Sequence, residues 1–193
     1  MNAPSAKSRL LAALLCILCW TPFALRAEGL DGRFDVRSAN LELKDGVYHL
    51  DARFDLPVSD AVRRGLADGV PLSLELDLDI ERVRQWAPNS RVAELTQRYH
   101  LQYNAVSARY ILRNDNSGQQ ESIGTLDAAL DVLSEVRGLP VLDKSLTQEG
   151  RRYAVSLRAK LDYGSVPFSL RVLMFWVSEW HRESDWYTWI FRP

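Results

Sequence analysis

Residues 72–81 read LSLELDLDIE, which is the clearest strand pattern in the chain. Leucine or isoleucine stands at every even-numbered position, whereas serine or an acidic residue stands at every odd-numbered one. Successive side chains of a β-strand point to opposite faces, so the alternation predicts a strand with one aliphatic and one acidic face. The same period of two recurs at 48–56 and 153–161. We therefore expect a sheet that is buried on one face and solvated on the other.

Turn signals separate the predicted strands and indicate antiparallel pairing. Asp45-Gly46 lies between strands predicted at 34–43 and 48–56, and this dipeptide tolerates the positive φ angles of a tight hairpin. Further strands are predicted at 92–104, 108–114 and 119–123, and turn residues at 115–118 join the last two. Together they resemble a meander.

Two short helices are predicted between the strands. Residues 59–69 form the first candidate, in which Ser59 can cap the free amides and a glycine can end the helix. Residues 125–137 form the second, because apolar side chains recur there at spacings of three and four. Gly138 and Pro140 are expected to stop it. The pattern predicts a mainly β (α+β) fold, either an antiparallel β-sandwich or a strongly curved sheet with about two short helices.

The N-terminal residues predict export. Lys7 and Arg9 precede an apolar run at 10–20, which suits a signal peptide and is shorter than the roughly 20 residues of a spanning helix. We expect residues 1–27 to be a cleaved signal peptide and residues 28–193 to form a single β-rich periplasmic domain. An uncleaved inner-membrane anchor is the alternative.

Cysteine content and charge exclude several classes of function. Cys16 and Cys19 both lie in the apolar run, so we expect the mature domain to lack a disulfide framework, a thiol nucleophile and a thiolate metal site. The formal net charge of the whole chain is −1, and removal of a basic signal peptide makes it more acidic. This balance argues against nucleic-acid binding.

No residue pattern indicates a catalytic or metal site. His49, His100 and His181 lack the i, i+2 or i, i+4 spacing of a metal-binding pair, and the chain has no G-x-S-x-G or glycine-rich phosphate motif. We therefore predict no catalytic residue, no metal and no cofactor. Carboxylates leave no characteristic spacing, so a two-carboxylate hydrolase stays open as an alternative.

The acidic face of residues 72–81 is a candidate site for a cation or a basic partner. Its carboxylates form a row: Glu75, Asp77, Asp79 and Glu81. A flat strand cannot supply the six to eight oxygen ligands of calcium, so we interpret the row as a solvated face. Arg53, Arg98 and Arg158 lie on polar faces of other predicted strands. We expect them to neutralise the row by cross-strand pairing.

Aromatic residues crowd the C-terminal end, where residues 168–193 hold four of the chain's six tryptophans. Indole rings suit cores and interfaces alike, because they combine a large apolar area with one N–H donor. Alternation in the last strand would turn Trp189 toward the core and Trp186 toward solvent. We predict Trp180 and Trp186 as candidate partner contacts.

Four stretches make the chain resemble an exported proteobacterial family that is catalogued as a domain of unknown function. They are RYHLQYNAVSARYILRNDNSG at 98–118, LDAALDVLSEVRGLPVLD at 126–143, RRYAVSLRAKLDYGSVP at 151–167 and SEWHRESDWYTW at 178–189. The resemblance covers most of residues 28–193 and supplies no activity or catalytic residue. The resemblance implies a gene that often neighbours one for a nitrogen-regulation-type sensor kinase, and so it points towards envelope signalling.

These observations favour a non-enzymatic periplasmic binding or interaction module of the cell envelope. Its expected partner is an envelope or inner-membrane protein, with an inner-membrane sensor as one candidate. A carrier for a small apolar ligand or a lipid is the alternative, and it needs an internal apolar pocket instead of a filled core. The two-carboxylate hydrolase is the second alternative.

Overall fold

The strand predicted at 72–81 lies inside the larger of two sheets in a computed structural model, which describes residues 34–162 and 181–193. It spans Leu72–Arg82 and pairs with a strand on each side. Its aliphatic face is buried, with Leu74 and Ile80 0% exposed. The alternation therefore divides the strand between core and solvent as the sequence predicts.

Strands dominate the described residues. The strands are β1 (Asp35–Lys44), β2 (Val47–Asp55), β3 (Leu72–Arg82), β4 (Ser90–Asn104), β5 (Arg109–Asn114), β6 (Gln120–Ile123), β7 (Glu135–Asp143), β8 (Tyr153–Asp162), β9 (His181–Glu183) and β10 (Tyr187–Phe191). The helices are α1 (Asp60–Ala67), α2 (Leu126–Leu133) and a short 3-10 helix (Lys144–Leu146). These elements confirm the predicted mainly β class.

Two antiparallel sheets share the strands. The smaller has the order β1-β2-β7, and the larger has the order β10-β8-β3-β4-β5-β6, with β9 also paired to β8. Because α1 connects β2 to β3 and α2 connects β6 to β7, both helices cross between the sheets. Side chains from both sheets join one hydrophobic core, in which Tyr48 of β2 meets Phe191 of β10 with ring centroids 4.9 Å apart. This arrangement is consistent with the predicted sandwich.

Local signals in the sequence set the first hairpin and the start of each helix. Asp45 and Gly46 adopt φ angles of 52° and 82°, the values that a tight hairpin between β1 and β2 requires. The Ser59 hydroxyl accepts from the N–H of Val62 at the start of α1, and Thr125 caps α2 in the same way. The turn prediction and the Ser59 cap prediction are confirmed, and the Thr125 cap is a further feature that the structure shows.

The prediction of one helix across 125–137 is wrong. Helix α2 ends at Leu133, and the segment read as its stop signal lies inside strand β7. The unpaired edge of β2 decides this outcome, because pairing with β7 satisfies backbone groups that would otherwise lack partners. Pro140 is tolerated in β7 because β7 is an edge strand, where a residue without a backbone N–H can be accommodated. Gly138 has a φ of +61° and lies next to a register shift in the pairing of β7 with β2.

Candidate functional site

The acidic row lies on the outer face of the larger sheet, between basic side chains of both neighbouring strands. Glu75 is opposite Arg98 of β4 and Lys160 of β8, and Asp77 is opposite Arg158 of β8. The core takes the other face of β3, so the carboxylates face outward wherever the strand keeps its alternation. The row is therefore part of a charged surface that spans three strands.

The cations that neutralise the row differ in part from those predicted. Arg98 and Arg158 bind it as expected, but Arg53 lies on β2 of the smaller sheet and donates to Glu135 of β7 at 3.0 Å. The expectation for Arg53 is wrong because its strand joins the other sheet. Lys160 takes part instead, and the alternation of β8 places it on the same face as Arg158.

The ion pairs share atoms and form a continuous network. Arg98 lies 2.5 Å from Glu75, and Lys160 bridges the row, with its Nζ 3.2 Å from Glu75 Oε1 and 2.6 Å from Asp77 Oδ2. Arg158 binds the same Asp77 oxygen at 3.0 Å. Each of these carboxylates is therefore held by two cations.

The network keeps two carboxylates ionised. The hydrogen bond from Arg98, helped by Lys160, lowers the pKa of Glu75 despite partial burial. At Asp77, burial by itself raises the pKa, but hydrogen bonds from Lys160, Arg158 and Thr96 together outweigh it and lower the pKa. Because their oxygens already bind cations of the same chain, these groups are poorly placed to act on a substrate.

Asp79 differs from its neighbours in the row. Burial raises its pKa, and the positive charge of Arg91 offsets this only in part. Arg91 Nε lies 3.3 Å from Asp79 Oδ1, within ion-pair distance, yet this buried oxygen accepts no hydrogen bond. The ionised form is therefore disfavoured at Asp79, in contrast to Asp77.

A hydrogen-bonded chain of serine, histidine and aspartate crosses the same outer face and was not predicted from the sequence. Ser73 Oγ lies 2.7 Å from His100 Nδ1, and His100 Nε2 lies 2.8 Å from Asp115 Oδ2. These residue types form hydrolytic triads, but Ser73 is only 7% exposed and lies on a strand paired on both sides. Strand pairing uses the adjacent N–H groups that an oxyanion hole would need. We interpret the chain as a cross-strand structural contact.

Trp186 lies at the end of the charged network. The guanidinium carbon of Arg158 is 4.4 Å from the centroid of its indole ring, which fits a cation–π contact. Arg158 also donates to Asp77 and to Glu183, so two carboxylates hold the cation beneath the ring. Trp186 nevertheless remains 46% exposed. It is a fixed but accessible aromatic side chain.

The residue that positions Trp186 is Ser184. Its N–H donates to the carbonyl of Ala159 at 2.9 Å, and its hydroxyl accepts from the N–H of Ala159 at 3.0 Å. The same hydroxyl donates to the carbonyl of Asp185, and Ser184 is buried. The backbone just before Trp186 is therefore anchored to β8. Trp180, the other predicted contact, lies outside the described residues.

The outward side chains of β10 continue the surface that Trp186 begins. Thr188 lies 2.9 Å from the Ser156 hydroxyl, and Ile190 is 52% exposed. We call Trp186, Thr188 and Ile190 the β10 edge surface, because β10 ends the larger sheet as far as the structure describes it. The alternate side chains of β10 pack against the core: Tyr187, Trp189 and Phe191.

A groove of about 360 Å³ opens between the larger sheet and β7. Its lining includes apolar side chains such as Leu112 and Val136, but also Glu121, Glu135 and Arg137. Hydrogen bonding to Arg137, followed by Arg53, lowers the pKa of Glu135 to about 2. The groove is therefore lined by a mixture of apolar, polar and charged side chains and is open to solvent, unlike the enclosed apolar pocket that a lipid carrier needs.

Across 34–162 and 181–193, no group of three or more His, Cys, Asp or Glu side chains is placed to hold a metal ion. In the same residues, no helix has the length and apolar character needed to cross a membrane.

Comparison with known proteins places the chain in a family. No curated protein and no solved structure matches it. Residues 31–190 match the family described as Domain of unknown function (DUF4390), and the match includes the acidic row, Ser184 and Trp186. The family resemblance of the sequence is thus confirmed, and the chain belongs to the DUF4390 family.

Proposed function

We propose that this chain is a non-enzymatic binding module of the cell envelope, which contacts a protein partner through the β10 edge surface. One observation carries the proposal: Trp186 is held in place by Arg158, yet nearly half of its surface remains exposed. An envelope or inner-membrane protein is the expected partner, with an inner-membrane sensor as one candidate. The periplasmic location rests on the export signal predicted at 1–27.

The state of Trp186 before binding favours a contact role. Tryptophan and arginine are enriched among the residues that carry most of the binding energy at protein interfaces. A side chain already held on a guanidinium loses little conformational entropy when a partner covers it. Ile190, on the same face, adds exposed apolar area. The surface therefore combines an aromatic anchor, an apolar neighbour and a charged rim.

The backbone of β10 offers a second means of contact. Among the described strands, β10 pairs only with β8, so its other edge can accept a strand from a partner. Main-chain hydrogen bonds along such an edge supply affinity, while alternate side chains supply specificity. A partner strand at this edge would bring its own side chains beside Trp186 and Ile190.

The other two predicted functions have less support. The hydrolase needs a carboxylate pair free to act on a substrate, but Glu75 and Asp77 are bound by Arg98, Lys160 and Arg158. The carrier needs an enclosed apolar pocket, whereas charged side chains line the groove beside β7. We therefore propose neither as the function.

Site-specific photo-crosslinking in the native envelope tests the proposal. A photoreactive amino acid is placed at position 186 or 190 of the full chain, and at position 106 as a control. Val106 is 100% exposed in the β4–β5 turn, away from β10. We expect one discrete crosslinked protein at positions 186 and 190, and none at position 106.

The identified partner then allows a quantitative test. Trp186→Ala should weaken its binding by about 30-fold, because a buried tryptophan anchor at an interface contributes about 2 kcal/mol or more. Val106→Ala should leave the dissociation constant unchanged. Equal affinity of the parent and the Trp186→Ala protein would exclude the β10 edge surface as the contact site.

A further inference from the structure

Four arginines gather at one end of the larger sheet, where β3 ends and β8 begins. They are Arg82, Arg84, Arg151 and Arg152. Antiparallel pairing brings the two segments together, because Arg82 lies opposite Tyr153 and the N–H of Val83 donates to the carbonyl of Arg152 at 2.9 Å. Strand register therefore concentrates four positive charges from two distant parts of the chain.

These four residues line an open cleft of about 430 Å³, which we call the arginine cleft. None of their side chains forms an ion pair or a hydrogen bond in the part of the chain that the structure describes. The contrast with Arg98 and Arg158 is clear, since both bind carboxylates of the acidic row. Glu149 is close in sequence but pairs with none of the four. The cleft therefore presents positive charge that the described residues leave uncompensated, which attracts anions.

Trp86 extends from the loop that carries Arg84. It is 92% exposed and packs against no part of the core. The loop is held at its base by Asn89, whose side chain accepts from the N–H of Arg84 and donates to Glu81. Gln85 also lines the cleft, so the backbone places the exposed Trp86 directly after a residue of the cleft wall.

We propose that the arginine cleft and Trp86 form a docking surface for an anionic phospholipid bilayer. Guanidinium groups bind phosphate oxygens in a bidentate manner, and each basic residue close to an anionic membrane strengthens binding by about fivefold. Indole rings concentrate at the interface between lipid and water, where an apolar ring and an N–H donor are both accommodated. A soluble anion would account for the arginines but not for Trp86. The combination favours a membrane surface.

This inference goes beyond the proposed function, because it assigns a second surface with a different partner. Residues of the arginine cleft lie outside the β10 edge surface, so a protein partner and a membrane would use different side chains. Each surface can therefore be tested while the other stays intact.

Vesicle sedimentation of the purified full chain tests the proposal. We expect binding to vesicles of phosphatidylglycerol in phosphatidylethanolamine, and weaker binding to neutral phosphatidylcholine vesicles. The double variant Arg84→Gln, Arg151→Gln should bind the anionic vesicles at least about tenfold more weakly. Both residues are exposed and lie outside the strands, so the fold should persist.

A matched control removes the same charge elsewhere. Arg64 and Lys144 are exposed and form no ion pair with described residues, so Arg64→Gln, Lys144→Gln has the same net charge as the test variant. All proteins carry the same residues 1–27, so any binding by that segment is common to them. If the test and control variants bind equally, the arginine cleft is not the membrane contact and the proposal fails.

The variant Trp86→Ala tests whether the anionic partner is a bilayer. This test remains valid even if the double variant does not fold. We expect it to bind anionic vesicles several-fold more weakly, and we expect brominated lipids to quench parent fluorescence more than that of Trp86→Ala. Undiminished vesicle binding by Trp86→Ala, with displacement by inorganic phosphate at constant ionic strength, would indicate a soluble-anion site. Binding to a polyglutamate peptide but not to anionic vesicles would indicate an acidic protein partner. Either result overturns the proposal.

Discussion

At the scale of single residues, Arg158 connects the charged network to the exposed indole ring. Its guanidinium binds Asp77 and Glu183 and lies beneath Trp186. A lysine would keep the charge but lose the planar fork and the stacking surface. The ion pairs of the row therefore fix an aromatic side chain, in addition to neutralising carboxylates.

Asp77→Asn and Asp79→Asn should affect stability differently, although both remove a charge from the same row. Asp77 accepts from Lys160, Arg158 and Thr96, so the first substitution weakens a partly buried network and should lower the free energy of unfolding by about 1–3 kcal/mol. Asp79 has a raised pKa and one oxygen without a hydrogen bond, so the second should be neutral or stabilising. Urea unfolding at neutral pH measures both, and equal losses would contradict this account.

The same two variants should separate by pH. The lowered pKa of Asp77 means that its stabilisation is complete above its ordinary value of 3.8 and is lost as pH falls through the lower folded value. The raised pKa of Asp79 has the opposite effect on stability, because the free energy of unfolding falls as pH rises from 3.8 through the pKa of Asp79 in the folded protein. Asp79→Asn should therefore gain stability relative to the parent over that rise, as thermal unfolding across an acid pH series can measure. A stability difference between Asp79→Asn and the parent that does not change with pH would contradict the raised pKa of Asp79.

At the scale of elements, β7 shows how pairing overrides a local helix pattern. Val136 continues the apolar spacing of α2, yet it lies opposite Ala52 in the smaller sheet. Glu135 reinforces this pairing through Arg53 of β2 and also binds Arg137 on its own strand. The start of β7 is therefore fixed by backbone pairing and by one shared carboxylate.

Glu135→Gln should make the smaller sheet less sensitive to acid. Because Arg137 and Arg53 lower the pKa of Glu135 to about 2, its stabilisation is complete above its ordinary value of 4.5 and is lost as pH falls toward about 2. The melting temperature of Glu135→Gln should thus lie below that of the parent at neutral pH, and the two melting temperatures should converge as the pH approaches about 2. Glu121→Gln is the control, because Glu121 forms no ion pair with described residues. If the melting temperatures of both variants converge with that of the parent at low pH, or if neither does, the role of Glu135 is contradicted.

Trp189→Ala and Trp186→Ala should distinguish the two faces of β10. Trp189 packs against the core but is only half-buried, so its loss should cost about 2–3 kcal/mol, below the 3–5 kcal/mol of a fully buried aromatic residue. Trp186→Ala removes an exposed cation–π contact and should cost about 1 kcal/mol or less. Urea unfolding of the two variants provides the comparison. If Trp186→Ala is the more damaging, Trp186 is a structural residue and the proposed contact loses its basis.

At the scale of the whole molecule, the last strand unites the two sheets. Phe191 of β10 contacts Tyr48 of β2 edge-to-face, and it also lies near Tyr153 of β8. Since the apolar faces of both sheets form one core, neither sheet has a separate hydrophobic interior. We therefore expect the described strands to unfold together.

A double-mutant cycle between Tyr48→Leu and Phe191→Leu should detect this connection. The ring contact predicts a coupling energy of about 0.5–1.5 kcal/mol, because edge-to-face aromatic pairs contribute this much beyond burial. Near-UV circular dichroism, which reports aromatic packing, and far-UV circular dichroism should report the same urea transition. Additive losses, or two separate transitions, would show that the sheets are stabilised independently.

Much of the fold could be predicted because its signals are local. Alternation in β2, β3 and β8 predicts which side chains are buried, since a strand exposes opposite faces at successive residues. Asp45-Gly46 predicts a turn and Ser59 predicts a helix start, because each acts within a few residues of itself. The sequence also predicts which aromatic side chains of β10 face the core.

Turn residues predict the pairing of strands that follow each other in the chain, but only the tertiary structure shows which distant strands are neighbours. Arg53 and Arg158 have similar alternating surroundings in the sequence, yet pairing places one beside Glu135 and the other beside Asp77. Because of strand pairing, Gly138 and Pro140, predicted to stop a helix, lie inside strand β7. Pairing also places Arg82 near Arg152 and Ser73 beside His100. Long-range register depends on the backbone hydrogen bonds and buried area of the whole assembly. No short stretch contains that information.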